Sequence, residues 1–337
     1  MDSITQIALG AAIGEATLGN KVGKAGALWG GLLGAIPDLD LISRLWLDNV
    51  AALSAHRAGS HSLFVITVLT PIVGSVLYRF HKKNPSKSWH WMLMFWLVGA
   101  THILLDTATV YGTQIFWPIS KIPFSFDSIY VIDPFYSLPL IFFLLLALKA
   151  KKGSKKRFRM VALGLVLSSF YLTWGMGVKA YVHSSFRQGF ASRGILPERL
   201  LTAPTPMNSV VWMGLCMSGD SLYAGLYSVL DKSAPRDFTP IARNTHLIEG
   251  HEQDRAVEKL LWFSKGWYSV EENDSSLVFT DHRFGRTDTW LTDEGGPMMS
   301  FELIEGENGY ETAELRAHLP EDRVETLKAL FERATEK

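Results

Sequence analysis

The sequence predicts a mainly α-helical, polytopic membrane domain followed by a small α+β soluble domain, and three observations carry that expectation. Apolar segments crowd the first half, charge is divided unevenly between the halves, and strand-like patterns occur only in the second. The chain has 337 residues, zero formal net charge and 47% hydrophobic residues, averages that would suit a soluble protein. Residues 1–182, however, hold 17 Lys and Arg against 8 Asp and Glu, while residues 183–337 hold 16 against 25. A cationic, apolar half joined to an acidic, polar half reads as a membrane domain over 1–182 and a water-soluble domain over 183–337. The single cysteine, Cys216, excludes an internal disulfide and a cysteine-based metal site. The opening stretch MDSITQIALGAAIG lacks the basic n-region of a cleaved signal peptide and is expected to stay in the mature protein.

Six apolar segments lie at about 4–18, 25–36, 62–78, 89–105, 134–148 and 160–178. A bilayer-spanning helix needs about 20 residues, with about 17 workable. The third, fourth and sixth segments meet that length. The first two are short and rich in Gly and Ala, which suits close packing or a helical hairpin. The fifth is short but intensely apolar (IFFLLLAL). About six helices are therefore expected, some of them short or re-entrant. The connections between segments one and two, three and four, and five and six contain 13 of the 17 basic residues. Six alternating helices put all three connections on one side, which the positive-inside rule makes cytoplasmic. The termini, the other loops and the second domain then face outward.

In the second half, SVVWMGLCMSG and SLYAGLYSVLD look like paired strands around Ser218, Gly219 and Asp220. DRAVEKLLWFSKGW has helical spacing, and SLVFTDHRFG and MMSFELIEG read as further strands. PEDRVETLKALFERATEK closes the chain as an amphipathic helix that Pro320 can start.

On this topology the acids and histidines of the membrane half gather on the outer side. Asp38 and Asp40 (PDLD) end the second segment, His56 and His61 precede the third, His102 and Asp106 (HILLD) end the fourth, and Asp133 precedes the fifth. His102 and Asp106 are four apart, so a helix points both the same way. Asp38 and Asp40, two apart after a proline, share one side of an extended or turning segment. Imidazole with carboxylate suits zinc, with manganese or iron as alternatives, and the number of donors allows one ion or two. Arg57 is a fork-shaped, permanently charged donor that can hold an anionic substrate group. Taken singly, these motifs also fit blander roles: PDLD as a helix stop, HRAGSHS as a loop whose Ser60 or Ser62 caps the next helix. His81, His90 and His183 read as interfacial residues, Glu15 as a structural partner inside the bundle, and His246, His251, Asp281 and His282 as loop or surface positions. HILLD resists such a reading, because ionisable groups at membrane depth are costly and usually functional.

The order of these pieces resembles the membrane-bound metal-dependent hydrolases of the YdjM/DUF457 group. The matching stretches are MDSITQIALGAAIGEATLG, IPDLD, HRAGSHSL, HILLDTATVYGTQIFWP and the aspartate of VIDPF, over about residues 1–180. LTAPTPMNSVVW and AVEKLLWFSKGWY resemble the tail of a long-form subgroup. Many members have a His where this chain has Gln6, so the resemblance implies a further ligand from the N-terminus only if Asp2 takes that place. It implies a bacterial inner-membrane protein, and a proposed remote similarity to zinc-dependent phospholipase C and P1-type nucleases would imply phosphoester substrates. The resulting expectation is a divalent ion, zinc foremost, held by Asp38, Asp40, His56, His61, His102 and Asp106. Arg57 and Asp133 would serve catalysis on a phosphoester or ester, plausibly of a lipid or other amphiphile; nothing points to nucleic acid. A metal-handling transporter without hydrolytic activity is the competing expectation. A third makes the soluble domain the working part.

Overall fold

The computed structural model describes residues 1–292, 294–307 and 309–335. The chain divides into two units, one of Met1–Ser43 with Ala55–Met176 and one of Arg44–Ser54 with Gly177–Lys337.

The first unit begins with a hairpin of α1 (Ser3–Val22) and α2 (Lys24–Ala35), turned at Gly23, whose φ is +70°. Asp2 caps α1, its Oδ1 accepting from the Thr5 amide at 2.9 Å. Glycines let the two backbones touch. A Cβ added at Gly14 would stand 2.1 Å from the Gly26 carbonyl oxygen, and one at Gly30 would stand 2.1 Å from that of Gly10. The predicted close packing of the two segments is thus a backbone-on-backbone contact of the small-residue kind. Gly30→Val is accordingly expected to abolish folded, extractable protein, while Gly177→Ala, where an added Cβ meets nothing within 4 Å, should be silent. Yield of monodisperse protein after detergent extraction measures both.

After α2 the chain bends by 41° into a 3-10 stretch, Pro37–Leu45. Pro37 cannot donate the amide that would continue the helix. Then come α3 (Asn49–Ala55), a 3-10 turn Gly59–His61, α4 (Leu63–Phe80), α5 (Ser88–Thr107), α6 (Pro134–Lys149) and α7 (Lys155–Ser192). Ser62 caps α4 by accepting from the Val65 amide at 3.3 Å.

Two helices, α4 and α7, are long and apolar enough to cross a membrane, and α2 with Pro37–Leu45 makes a third if the bent pair is one span. The expected six spans are therefore not met by length and composition. α1 and α5 each have 20 residues, but Gln6, Glu15, His102 and Asp106 dilute their apolar character, and all four are buried. α6 is apolar but has only 16 residues. Phe64, Ile72 and Phe170 are 51%, 59% and 67% exposed on α4 and α7, the outward apolar surface expected of helices that face lipid. Inside, Arg157 of α7 grips Glu15 of α1 through two charge-assisted hydrogen bonds of 2.5 and 2.6 Å. Glu15 is structural, as expected.

The second unit holds two four-stranded antiparallel sheets. The first is β1 (Arg199–Pro204), β2 (Val211–Ser218), β3 (Ser221–Ser228) and β4 (Thr239–Ala242), in that spatial order. Ser218 pairs with Ser221 across the predicted turn, where Gly219 has φ +59°. Trp212, Cys216 and Tyr227 of this sheet pack on Val182, Phe186 and Phe190 of α7. After α8 (Arg255–Ser264) come β5 (Tyr268–Asn273), β6 (Ser276–Asp281), β7 (Ser300–Gly306), β8 (Gly309–Leu315) and α9 (Arg323–Thr335). Strands β1, β4, β5 and β8 were not expected from the sequence. β4 is four residues long, and β8 (GYETAEL) shows no apolar alternation. The last two residues of the predicted closing helix, Glu336 and Lys337, lie outside the described residues.

Asp281 and His282 correct the surface role expected for them. Both are buried. Asp281 Oδ2 accepts from Arg283 Nη2 at 2.5 Å, and His282 Nε2 lies 2.8 Å from Ser269 Oγ. Burial, with Arg286 adding to it, lowers the His282 imidazole to about 4. The unfolded chain takes up that proton below about 6.5 and the native chain only near the lowered value. Stability is therefore lost as pH falls from 6.5 towards 4, by about 3 kcal/mol at most. Thermal melts of wild type between pH 7.5 and 4.5 are expected to fall more steeply than those of His282→Gln.

Candidate metal centre

Each donor reaches the centre for a local reason. Asp38 sits just past the Pro37 bend, His61 ends the 3-10 turn before α4, and His102 and Asp106 lie one helical turn apart in α5. Their ligand atoms lie within 4.8 Å of one another, and His61, His102 and Asp106 are fully buried. His61 Nε2 stands 3.1 Å from His102 Nε2, 3.1 Å from Asp106 Oδ2 and 3.5 Å from Asp38 Oδ1. His102 Nε2 stands 3.5 Å from Asp38 Oδ1 and 3.6 Å from Asp106 Oδ2. A tetrahedron with centre-to-corner distances of about 2.0–2.1 Å has edges of about 3.3–3.4 Å. Five of the six edges here fall around that value. A buried Asp38, His61, His102 and Asp106 group of this size could bind a metal ion.

Hydrogen bonding supports the same use. Asp106 Oδ1 accepts from the Met1 amino group at 2.5 Å and from Gln6 Nε2 at 3.0 Å, while the buried Oδ2 has no hydrogen-bond partner. Asp38 Oδ2 is likewise buried without one. Such orphaned carboxylate oxygens are costly unless a cation satisfies them. Both imidazoles are held from behind. His102 Nδ1 is 2.9 Å from the Gly34 carbonyl oxygen, which requires the proton on Nδ1 and leaves Nε2 free to ligate. His61 Nδ1 is 2.9 Å from Ser60 Oγ and 3.3 Å from Asp40 Oδ2. Carboxylate or carbonyl behind histidine is the usual support of a metal-binding imidazole. Burial disfavours a charged His61, but Asp106, Asp38 and Asp40 outweigh it and push the imidazole up to about 10. A cation entering the site therefore takes the place of a proton.

The remaining predicted residues fall into two groups. Asp40 and His56, expected as ligands, stand one layer back from the four donors. Asp40 Oδ1 meets His56 Nδ1 at 2.7 Å, and its Oδ2 accepts from the Arg57 amide at 2.9 Å and from Ser60 Oγ at 2.8 Å. His56 is held below the usual histidine range, first by burial and then by Arg57 and His61, against the pull of Asp40. Arg57 lies against the cluster. Its Nε is 3.4 Å from Asp106 Oδ2, Nη1 donates to Thr109 Oγ1 at 2.9 Å, and the guanidinium carbon sits 4.9 Å from the Tyr111 ring centre. The Arg57 backbone adopts φ +57°, a left-handed conformation unusual for a side chain this large and typical of functional loops. Asp133 is used elsewhere. Its Oδ1 caps α6 by accepting from the Phe135 amide at 3.0 Å, and Oδ2 accepts from the Tyr171 hydroxyl at 2.8 Å. Both oxygens of this buried residue, expected to serve catalysis, are thus engaged, one in a helix cap and one with a tyrosine.

Gln6, Gly34, Ser60, Thr109 and Tyr111 complete the surroundings. Of these, Gln6, Ser60, Thr109 and Tyr111 lie in stretches that carried the family resemblance, although Ser60 was expected only as a helix cap. No sequence signal marks the Gly34 carbonyl, which arrives through the tertiary contact of α2 with α5.

Residues 1–182, which contain every residue of this centre, match the family model for the YdjM inner membrane protein. The chain belongs to the YdjM family. It is therefore a membrane protein, in keeping with the apolar helices α4 and α7. It is also similar to the uncharacterized protein YfhP of Bacillus subtilis (strain 168), at 30% identity over 143 residues, 40% of this chain and 42% of that protein. The matched stretch thus spans less than half the length of that relative. No solved structure matches the chain.

Proposed function

We propose that this YdjM-family protein is a membrane-bound, metal-dependent hydrolase acting on a phosphoester or ester, with a lipid or other amphiphile as substrate. The observation that carries the reading is Arg57 beside the four-donor cluster, its buried Nε making no hydrogen bond and standing 3.4 Å from Asp106 Oδ2. An ion that took up the Asp106 charge would leave this guanidinium to meet an anionic substrate group. Asp38, His61, His102 and Asp106 would hold the ion, and two imidazoles with two carboxylates in near-tetrahedral disposition favour zinc over magnesium or calcium. When bound, such an ion supplies Lewis acidity and brings the pKa of coordinated water towards about 7.

The chain's own groups supply the rest. Arg57 binds the anionic group, its fork fixed by Thr109 and by stacking on Tyr111. Asp40 orients His61 and, through Oδ1, keeps a proton on His56 Nδ1. His56 Nε2 is then a neutral base, 11% exposed at its side chain, able to accept a proton and return it to the leaving group. The charge asymmetry of the loops supports a multi-pass inner-membrane arrangement of about six helices, including short ones, with the centre and the C-terminal domain on the extracytoplasmic side.

The decisive experiment is metal analysis of the detergent-purified protein, followed by a panel of phosphoester and ester substrates with and without chelator. Chelator-sensitive hydrolysis, lost in Arg57→Gln while metal content stays, is expected. Full metal occupancy with no hydrolysis of any substrate would sink the reading. That outcome would favour a metal-handling role, to which one observation lends weight: the cluster offers four protein donors, the number that closed structural sites use.

A further inference from the structure

The second unit contains a polar cavity of about 410 Å³ that the metal chemistry does not use. Its wall on α7 is a run of hydroxyl and amide side chains, including Tyr181, Ser185 and Gln188, spaced to share one helix face. Opposite them stand Tyr227 of β3 and the segment after it, which brings Lys232 and Arg236. The floor is built rather than incidental. Tyr227 is 1% exposed and its hydroxyl lies 3.0 Å from that of Tyr181, while Ser185, 9% exposed, donates to the Tyr181 carbonyl oxygen at 3.2 Å. Neither Lys232 nor Arg236 has an ion-pair partner among the described residues. The two nearby acids meet other arginines: Asp231 is clamped by Arg333 at 2.9 and 2.7 Å, and Asp237 Oδ1 lies 3.8 Å from Arg193 Nη2. One of the two tyrosine hydroxyls donates to the other and leaves a single O–H to give; that O–H, the Gln188 amide and two cations without ion-pair partners suit an oxyanion, whose oxygens accept from the donors while the charge is met by Lys and Arg.

We propose that this cavity binds a phosphate group carried by an organic ligand. Two sources share that chemistry, a water-soluble phosphomonoester and the headgroup of a phospholipid. The second is close at hand, because Tyr181 follows the apolar stretch of α7 by three residues, or about 5 Å of helix, where tyrosine is enriched in membrane proteins.

The test uses the full chain in detergent, treated with chelator so that the candidate metal centre cannot hold phosphate. Glycerol phosphate and a short-chain phosphatidylglycerol are titrated separately by calorimetry, with short-chain phosphatidylcholine as the zwitterionic control. Binding of glycerol phosphate alone identifies a soluble ligand, and binding of phosphatidylglycerol alone identifies a lipid headgroup. In either case Lys232→Gln/Arg236→Gln, two exposed positions whose loss leaves the fold intact, should weaken binding roughly tenfold or more. Tyr227→Phe, which keeps the ring and removes one floor hydroxyl, should weaken it by a smaller factor. The proposal is overturned if neither probe binds at roughly millimolar concentration, or if the double variant binds as wild type does.

Discussion

If the four donors hold a metal ion as proposed, His102→Ala protein is expected to purify without it, while wild type and Asp133→Ala carry a full complement. The alanine removes one of the four donors and leaves water to fill its position beside His61, Asp38 and Asp106, which should weaken binding enough for the ion to be lost during purification. Asp40→Asn should fall between. It leaves all four donors but weakens the support behind His61, a change that typically costs about 10–100-fold in affinity. The ordering is the informative part: ligand loss, then support loss, then no effect at the helix cap. Elemental analysis of protein dialysed against graded chelator reads all three. Equal occupancy in wild type and His102→Ala would show that the buried donors do not hold the ion.

Glu15→Ala is expected to be the most damaging change outside the centre. Both Arg157 nitrogens that bind the carboxylate are buried with it, the side chains being 4% and 3% exposed. Removing the acid leaves a guanidinium with no counter-charge among apolar helices, a loss of about 3–5 kcal/mol for a buried pair broken on one side. The double change Glu15→Leu/Arg157→Leu should recover most of that loss, since two apolar side chains of similar length leave no charge stranded. Thermal melts in detergent distinguish the three proteins. Wild-type stability in Glu15→Ala would mean that water reaches the pair.

Much of this was legible because the cost of burying charge makes exceptions conspicuous. His102 and Asp106, four apart in an apolar run, announced themselves, and α5 confirms their shared face. Asp38 and His61 were likewise named in advance. Asp40 and His56 were grouped with them because residue type and spacing do not distinguish a donor from the group that steadies it. That distinction depends on which oxygen and nitrogen face inward, here decided by Ser60 and the Arg57 amide. Asp133 is ambiguous for a related reason: an aspartate before a proline-led helix can cap it or serve a site, and the Tyr171 hydroxyl that engages its second oxygen comes from a residue 38 positions away. Segment counting gave more spans than length and composition confirm, because α1 and α5 spend their polar residues on the interior of the unit.

By itself the sequence determined a membrane protein with a separate, acidic β-rich part, a tight glycine hairpin at its start and a set of imidazoles and carboxylates reserved for one place. Hydropathy, charge bias and small-residue patterning are local properties, readable without coordinates. Only the tertiary structure decided which four side chains meet, that Asp40 and His56 stand behind them, and that a backbone carbonyl of α2 sets the tautomer of His102. Those facts rest on distances of a few ångströms between residues up to 68 positions apart in the chain, and such distances exist only once the helices are packed.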